Sequence, residues 1–197
     1  MELVKLIETV ARILMPRDPC HGYEHVERVR RLALRIAKKL AEQGYEIDFE
    51  ALEIAALLHD VGRSVSEEKH AEVSADIARR ILEALGIDRD RIEKIARIIL
   101  AHSYSYGRKP ESLEEAILSD ADKLDAMGAV GIARVFIYSG KHGRSIEDSI
   151  KHIETKILRL KDLVMTEPAK KLAEDRHRFV EQFLAQLKKE LDEVMLR

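Results

Sequence analysis

The stretch IAALLHDVGR (residues 54–63) determines the fold of this chain. Five apolar residues of a predicted helix lead directly into His59-Asp60, and Gly62 then breaks the helix. An ionised carboxylate at the end of a core-facing helix is costly unless a partner or a cation uses it. Taken alone, the dipeptide favours a frayed, solvated helix end. Four other residues on or beside apolar-periodic segments reverse that preference: His25, His70, His102 and Asp122.

Helical spacing of apolar residues runs through almost the whole chain. The predicted helices are one ending before Pro16, one from His25 to Leu40, one capped by Asp48, one from His70 to Leu85, one capped by Asp88 and ending at His102, a short one with a Ser112/Glu115 capping box, one over residues 128–140, one capped by Ser145 and one opened by Pro168. The glycine spacing in residues 128–140 does not match a dinucleotide-binding loop. The sequence therefore predicts an all-α, single-domain helical bundle over residues 1–197.

Composition supports this fold class and excludes several functions. The chain has 197 residues, 46% hydrophobic and 36% charged, which suits one core with strongly charged helix faces. A net charge of -2 gives no basic surface for duplex nucleic acid, and no segment reaches the roughly 20 apolar residues of a membrane span. The single cysteine, Cys20, excludes an internal disulfide and fits a reducing cytoplasm. A homo-oligomer stays open.

Two imidazoles and two carboxylates form the candidate metal site: His25, His59, Asp60 and Asp122. Such mixed nitrogen and oxygen donors suit manganese, iron, nickel, cobalt or magnesium better than a closed thiolate zinc site.

Two of these assignments have competitors in the sequence. His21 lies on the same helical face as His25, but His25 shares the apolar stripe of its helix, so His21 is predicted to be a surface residue. Asp120 and Asp125 compete with Asp122. We assign Asp122, with Asp120 as the alternative.

The order His25, His59-Asp60, Asp122 resembles the HD-domain metal-dependent phosphohydrolase superfamily, in particular its small single-domain branch. HGYEHVERV (21–29), HDVGR (59–63) and DADKLDAMGAVGIAR (120–134) carry the resemblance. It implies a metal-binding core over about residues 21–126 with the C-terminal helices packed on it. It also implies a divalent metal held by those four residues and hydrolysis of a phosphate ester or anhydride. The mixed nitrogen and oxygen donors favour manganese.

Further residues are predicted to serve catalysis or substrate binding. A divalent cation activates water and draws charge from phosphoryl oxygens, so Asp60 is both a predicted ligand and a predicted catalytic residue. Arg63 and Lys123 adjoin predicted ligands and could neutralise phosphate oxygens, although solvated surface cations are an equal alternative. Glu72 could orient the attacking water, with a helix-start charge effect as its competitor.

His70 and His102 have a sharper pattern. His70 begins a predicted helix and could protonate a leaving group, whereas His102 ends an apolar one. Within the resemblance, HAEVSA (70–75) and AHSYS (101–105) match the segments that carry two extra histidines in binuclear HD enzymes. The two histidines would bind a second metal or, in a mononuclear site, the substrate phosphate, which we favour. Both are expected on polar rims beside apolar helices.

The predicted substrate is a nucleotide or another small phosphorylated metabolite. HDVGRSVSE (59–67) lacks the Glu-Asp that follows the pair in hydrolases of guanosine tetraphosphate alarmones, and the segment after His102 lacks the second His and the Gly-Tyr-Pro of cyclic-di-GMP phosphodiesterases. Phosphomonoesterase, phosphodiesterase and nucleotide pyrophosphohydrolase activities stay open. Two other classes compete: an HD-fold di-iron oxygenase and a non-catalytic nucleotide-sensing module.

Overall fold

A computed structural model describes residues 2–102 and 109–195 of the chain. Within them lie nine α-helices: α1 (Glu2–Leu14), α2 (Tyr23–Ala41), α3 (Phe49–Leu58), α4 (His70–Ala84), α5 (Arg89–His102), α6 (Leu113–Asp125), α7 (Gly128–Lys141), α8 (Ile146–Thr155) and α9 (Glu167–Met195). Two 3-10 helices, Val61–Ser64 and Ile157–Leu163, complete the secondary structure of the described residues, which contain no β-strand. The predicted all-α class is confirmed. Residues 103–108, which include part of the predicted segment AHSYS, lie outside the described residues.

Most predicted helix starts are present with their side-chain caps. The carboxylate of Asp48 accepts from the Ala51 amide at 3.0 Å, and that of Asp88 accepts from the Arg91 amide at 2.9 Å. Ser145 forms a complete capping box at the start of α8. Local polar side chains therefore fix where these helices begin.

Two helix starts differ from the prediction. Ser112 accepts from the Glu115 amide at 3.2 Å, but the Glu115 carboxylate accepts from the Glu111 amide instead of the Ser112 amide, so the predicted capping box is incomplete. Helix α9 begins at Glu167, one residue before Pro168, because proline fits the first turn of a helix, where its missing N–H is not needed.

The chain divides into two compact units, residues 1–122 and 123–197. In the first unit, α3 contacts α1, α2 and α5, and seven of its residues are buried. A helix enclosed on several sides has little use for a polar face, which explains why 54–58 is a continuous apolar run. Because α3 is enclosed up to Leu58, the next two residues, His59 and Asp60, also lie in the core of the unit.

In the second unit, α7 packs against α8 and α9. The buried hydroxyls of Ser139 and Ser149 are 2.8 Å apart, and Arg134 donates to Asp125 at 2.8 Å. Among the described residues, no helix is both long enough and apolar enough to cross a membrane. A single domain over residues 1–197 stays a prediction.

Candidate metal centre

The Asp60 carboxylate lies at the centre of a buried cluster in the first unit. It follows the last turn of α3 and precedes the 3-10 helix Val61–Ser64, so the chain reverses at this point. Its Oδ2 lies 3.5 Å from His25 Nε2 and 3.8 Å from His59 Nε2. Its Oδ1 lies 3.8 Å from His70 Nε2 and 3.7 Å from His102 Nε2. One carboxylate therefore presents a different oxygen to each of two histidine pairs.

Three of these histidines are held in one tautomer by the backbone. Their Nδ1 atoms lie within hydrogen-bond distance of carbonyl oxygens three residues earlier: His59 with Ala56 at 2.8 Å, His70 with Glu67 at 2.8 Å and His102 with Ile99 at 2.5 Å. A carbonyl only accepts, so Nδ1 carries the proton and, in the neutral ring, Nε2 keeps its lone pair. All three lone pairs face the Asp60 side of the cluster, as metal ligands and proton acceptors require.

The structure places the residues of the two contested assignments in different settings. Asp122 Oδ1 lies 3.4 Å from His25 Nε2, and the Asp122 side chain is 30% exposed. Asp120 is fully buried on the same helix, and Asp125 accepts from Arg134. His21 begins the turn before α2, where its Nδ1 lies 3.8 Å from an Asp18 carboxylate oxygen. The structure thus brings His25 and Asp122, rather than His21, into contact in the cluster.

The donors form two sets that share Asp60. The first donor set is His25, His59 and Asp60, and the second donor set is Asp60, His70 and His102. Within each set the candidate ligand atoms lie within 4.8 Å of one another, and all five residues are buried. Asp60 Oδ1 and His102 Nε2 have no hydrogen-bond partner among the described residues. Since unpaired buried acceptors are costly, this chemistry fits a divalent cation and its water.

Protonation states in the cluster also favour metal binding. Burial, together with the neighbouring His102 and His25, lowers the pKa of His59 to about 4. Burial alone would raise the pKa of Asp60, but His59, His102, His25 and Arg63 outweigh it and hold that pKa well below its usual value. At neutral pH the pair therefore presents a neutral imidazole and an ionised carboxylate, the forms that ligate metals.

Arg63, predicted as a cation for phosphate, is already engaged by the cluster. Its Nε donates to Asp60 Oδ2 at 2.6 Å, and its Nη2 lies 3.4 Å from His70 Nε2. Burial and the Arg63 charge both lower the pKa of His70. The 3-10 helix Val61–Ser64 produces this contact, because it places residues 60 and 63 on one side of a tight turn.

The other predicted residues lie in different settings. His70 and His102 are only 6% and 1% exposed, so their predicted position on polar rims is wrong. Helices α4 and α5 pack against each other. This packing covers the first turn of α4, which holds His70, and the last turn of α5, which holds His102. Lys123 is buried in the second unit rather than solvated. Glu72 is partly exposed, and among the described residues no hydrogen bond or ion pair joins it to the cluster.

Sequence reasoning missed a contact that holds the turn after Asp60. The Gly62 amide donates to the buried Ser74 hydroxyl at 2.9 Å. A Cβ atom on Gly62 would lie 2.6 Å from the His70 carbonyl oxygen and from the Ser74 amide nitrogen. The signal in the sequence was a serine one turn after His70, on the face of α4 that is otherwise apolar.

We predict that Gly62→Ala lowers the free energy of unfolding by about 1–3 kcal/mol, as overpacking does, because backbone rather than a flexible side chain stands in the way. Urea unfolding measures this. The control is Gly140→Ala in α7, where nothing lies within 4 Å and the same change should stabilise by about 0.5–1 kcal/mol. Equal effects at the two positions would contradict the close approach at Gly62.

Comparison with known proteins identifies the family to which the chain belongs. The family model of the HD domain matches residues 22–127. The chain is 34% identical over 190 residues to the protein YpgQ of Bacillus subtilis, covering 92% of this chain and 90% of that one. The chain therefore belongs to the HD domain family, the superfamily of metal-dependent phosphohydrolases that its sequence resembles.

Solved structures extend the likeness to the whole fold. The crystal structure of B. subtilis YpgQ in complex with ADP has a TM-score of 0.77 and 30% identity, covering 95% of this chain and 97% of that one. An HD-superfamily hydrolase from Bacillus thuringiensis has a TM-score of 0.73 and 33% identity, covering 97% of each chain. These proteins share the all-α fold along nearly their full length.

Proposed function

We propose that this protein is a divalent-metal-dependent phosphohydrolase that acts on a nucleotide or another small phosphorylated metabolite. The observation that carries the proposal is the buried Asp60 carboxylate, which faces four histidine Nε2 atoms at 3.5–3.8 Å. Membership of the HD domain family supports hydrolysis. The ADP bound to the YpgQ relative supports a nucleotide as the substrate class.

His25, His59, Asp60 and Asp122 are the proposed ligands. His25 Nε2 lies 3.4–3.5 Å from Asp60 Oδ2, from Asp122 Oδ1 and from His59 Nε2, which supports His25 as the ligand that the other three share as a neighbour. When bound, a divalent cation acidifies water and withdraws charge from phosphoryl oxygens. Manganese is favoured because the donors are two nitrogens and two oxygens.

His102 and Asp60 are proposed to hold the attacking water and to accept its proton. His102 Nε2 and Asp60 Oδ1 are unpaired acceptors 3.7 Å apart, so a water molecule between them can donate one O–H to each. This fixes the direction of the water lone pairs. A neutral His102 repels phosphate oxygens, whereas after taking a proton it can donate to one or to the leaving group.

Three further residues are proposed to contact the substrate or to orient water. His70 lies on the same side of Asp60 as His102 and stays a candidate for phosphate contact or for proton transfer in a state where Arg63 Nη2 does not donate to its Nε2. Lys123, one residue after Asp122, stays a candidate cation for phosphate oxygens, and Glu72 a candidate for orienting water. A small phosphorylated substrate and a single cysteine fit a cytoplasmic enzyme.

The first test is a hydrolysis screen. We expect the purified, chelator-treated protein to release phosphate or pyrophosphate from nucleotides or sugar phosphates only after manganese, magnesium, nickel, cobalt or iron is added. Manganese should be among the better activators, and excess EDTA should abolish turnover. Full turnover in excess EDTA contradicts metal dependence.

The same preparation separates the competing functions. Oxygen consumption with iron, without phosphate release, would favour the di-iron oxygenase, for which the second donor set is the specific observation. Nucleotide binding by calorimetry without turnover in any metal would favour the sensing module.

A further inference from the structure

The second donor set lies against a cation that the protein itself supplies, the guanidinium of Arg63. Its ligand atoms are Asp60 Oδ1, His70 Nε2 and His102 Nε2, which by type and spacing suit a second metal ion. The Arg63 guanidinium contacts two members of this set, through Nη2 at 3.4 Å from His70 Nε2 and through Nε at 2.6 Å from Asp60 Oδ2. The first donor set receives only the second of these contacts.

We propose that Arg63 takes the place of a second cation, so that the site holds one divalent ion and not two. The proposal rests on the proposed metal site at His25, His59, Asp60 and Asp122, and it adds the residue that sets the number of ions. The side of Asp60 that faces His70 and His102 is then left to the substrate and the attacking water.

Lone-pair counting at His70 supports this role. Its Nδ1 bonds the Glu67 carbonyl oxygen at 2.8 Å and therefore carries the ring proton. Nε2 keeps a single lone pair, which accepts from Arg63 Nη2. That lone pair cannot also ligate a metal, which would have to approach to about 2.1 Å along the same direction.

The positive charge of Arg63 also opposes binding of a second metal ion. A guanidinium is a permanent positive charge, and here it is held by hydrogen bonds at two of its nitrogens, with the side chain only 22% exposed. A divalent ion at His70 would sit against this charge in a place where little water screens the repulsion.

The first donor set is not blocked in this way. Arg63 Nε uses one lone pair of Asp60 Oδ2, and a carboxylate oxygen has two. The same oxygen still faces His25 and His59 at 3.5 and 3.8 Å. Arg63 therefore orients Asp60 for the first ion while it excludes a second.

The test counts manganese ions. Equilibrium dialysis of the whole chain against Mn²⁺, with elemental analysis, is expected to give one ion per chain for the wild type and two for Arg63→Met, which keeps the bulk and removes the charge. The double variant Arg63→Met/His70→Ala should return to one. Arg79→Met, which removes an α4 arginine paired with Asp76 and Glu93, should stay at one. Low-temperature electron paramagnetic resonance should show exchange-coupled manganese pairs only in Arg63→Met.

Each other outcome has a defined meaning. Two ions in the wild type overturn the role of Arg63 and leave the proposed metal-dependent function intact. One ion or none in Arg63→Met, beside one in the wild type, also overturns it, since removal of the charge then opens no site. No ion in the wild type overturns the proposed function itself, together with this inference.

Discussion

Asp60→Asn is expected to reduce substrate turnover by at least about 10³-fold, which corresponds to about 4 kcal/mol of transition-state stabilisation. The asparagine keeps the shape of the side chain but replaces one acceptor oxygen with a donor group and removes the charge. The first donor set then loses its anionic ligand, and the side of the cluster that faces the amide nitrogen also loses an acceptor. Steady-state hydrolysis with saturating Mn²⁺ measures the effect.

Thermal melting shows whether the loss arises from the metal. An ion that binds only the folded state raises the wild-type melting temperature with its concentration, and the variant should lose this rise. Asp76→Asn is the matched control, because Asp76 is an exposed aspartate that pairs with Arg79 in the same unit. An Asp60→Asn protein that keeps both the rise and the turnover would exclude Asp60 as a ligand.

The fold followed from local patterns wherever one signal was strong. Asp48, Asp88 and Ser145 bond the amides of the turns that they were expected to cap. The 3-10 helix Ile157–Leu163 was not predicted, because it has neither a side-chain cap nor a glycine or proline at its start. Periodicity describes the face of a helix but says little about short irregular turns between helices.

The sequence predicted which residue types form the site better than it predicted how deeply those residues are buried. The shared apolar stripe selected His25 over His21, and the structure brings His25 to Asp60 and Asp122. Burial of His70 and His102 was missed, since it depends on how the ends of α4 and α5 are covered and not on either helix alone.

Contacts between residues on the two sides of a turn also could not be predicted from the sequence. Arg63 was a candidate cation for phosphate, with a solvated surface position as an equal alternative, and it bonds Asp60 because a 3-10 turn brings them together. The Gly62–Ser74 hydrogen bond joins residues on different elements. Neither contact produces a periodic pattern in the sequence, because each depends on the path of the backbone between two helices.

His102→Ala should lower kcat by about 10²-fold or more while KM changes little, since His102 is proposed to accept a proton from water and not to bind the substrate in its ground state. The side chain is 1% exposed, so its removal also leaves a cavity and should cost about 1–3 kcal/mol of unfolding free energy. A histidine on a polar rim would instead be expected to change the free energy of unfolding by under about 1 kcal/mol when truncated. Hydrolysis kinetics and urea unfolding on the same preparation separate the two effects.

The comparison that decides the role of His102 uses a histidine with the same local bond. His142 also bonds a backbone carbonyl oxygen through Nδ1, at 2.8 Å from Tyr138, but it is exposed at the end of α7. His142→Ala should leave kcat unchanged and cost less than about 0.5 kcal/mol. If His102→Ala unfolds more easily yet keeps the wild-type kcat, His102 is a structural residue. The unpaired Asp60 Oδ1 would then be the remaining acceptor for the proton, because no other member of the second donor set has a lone pair free of a protein donor.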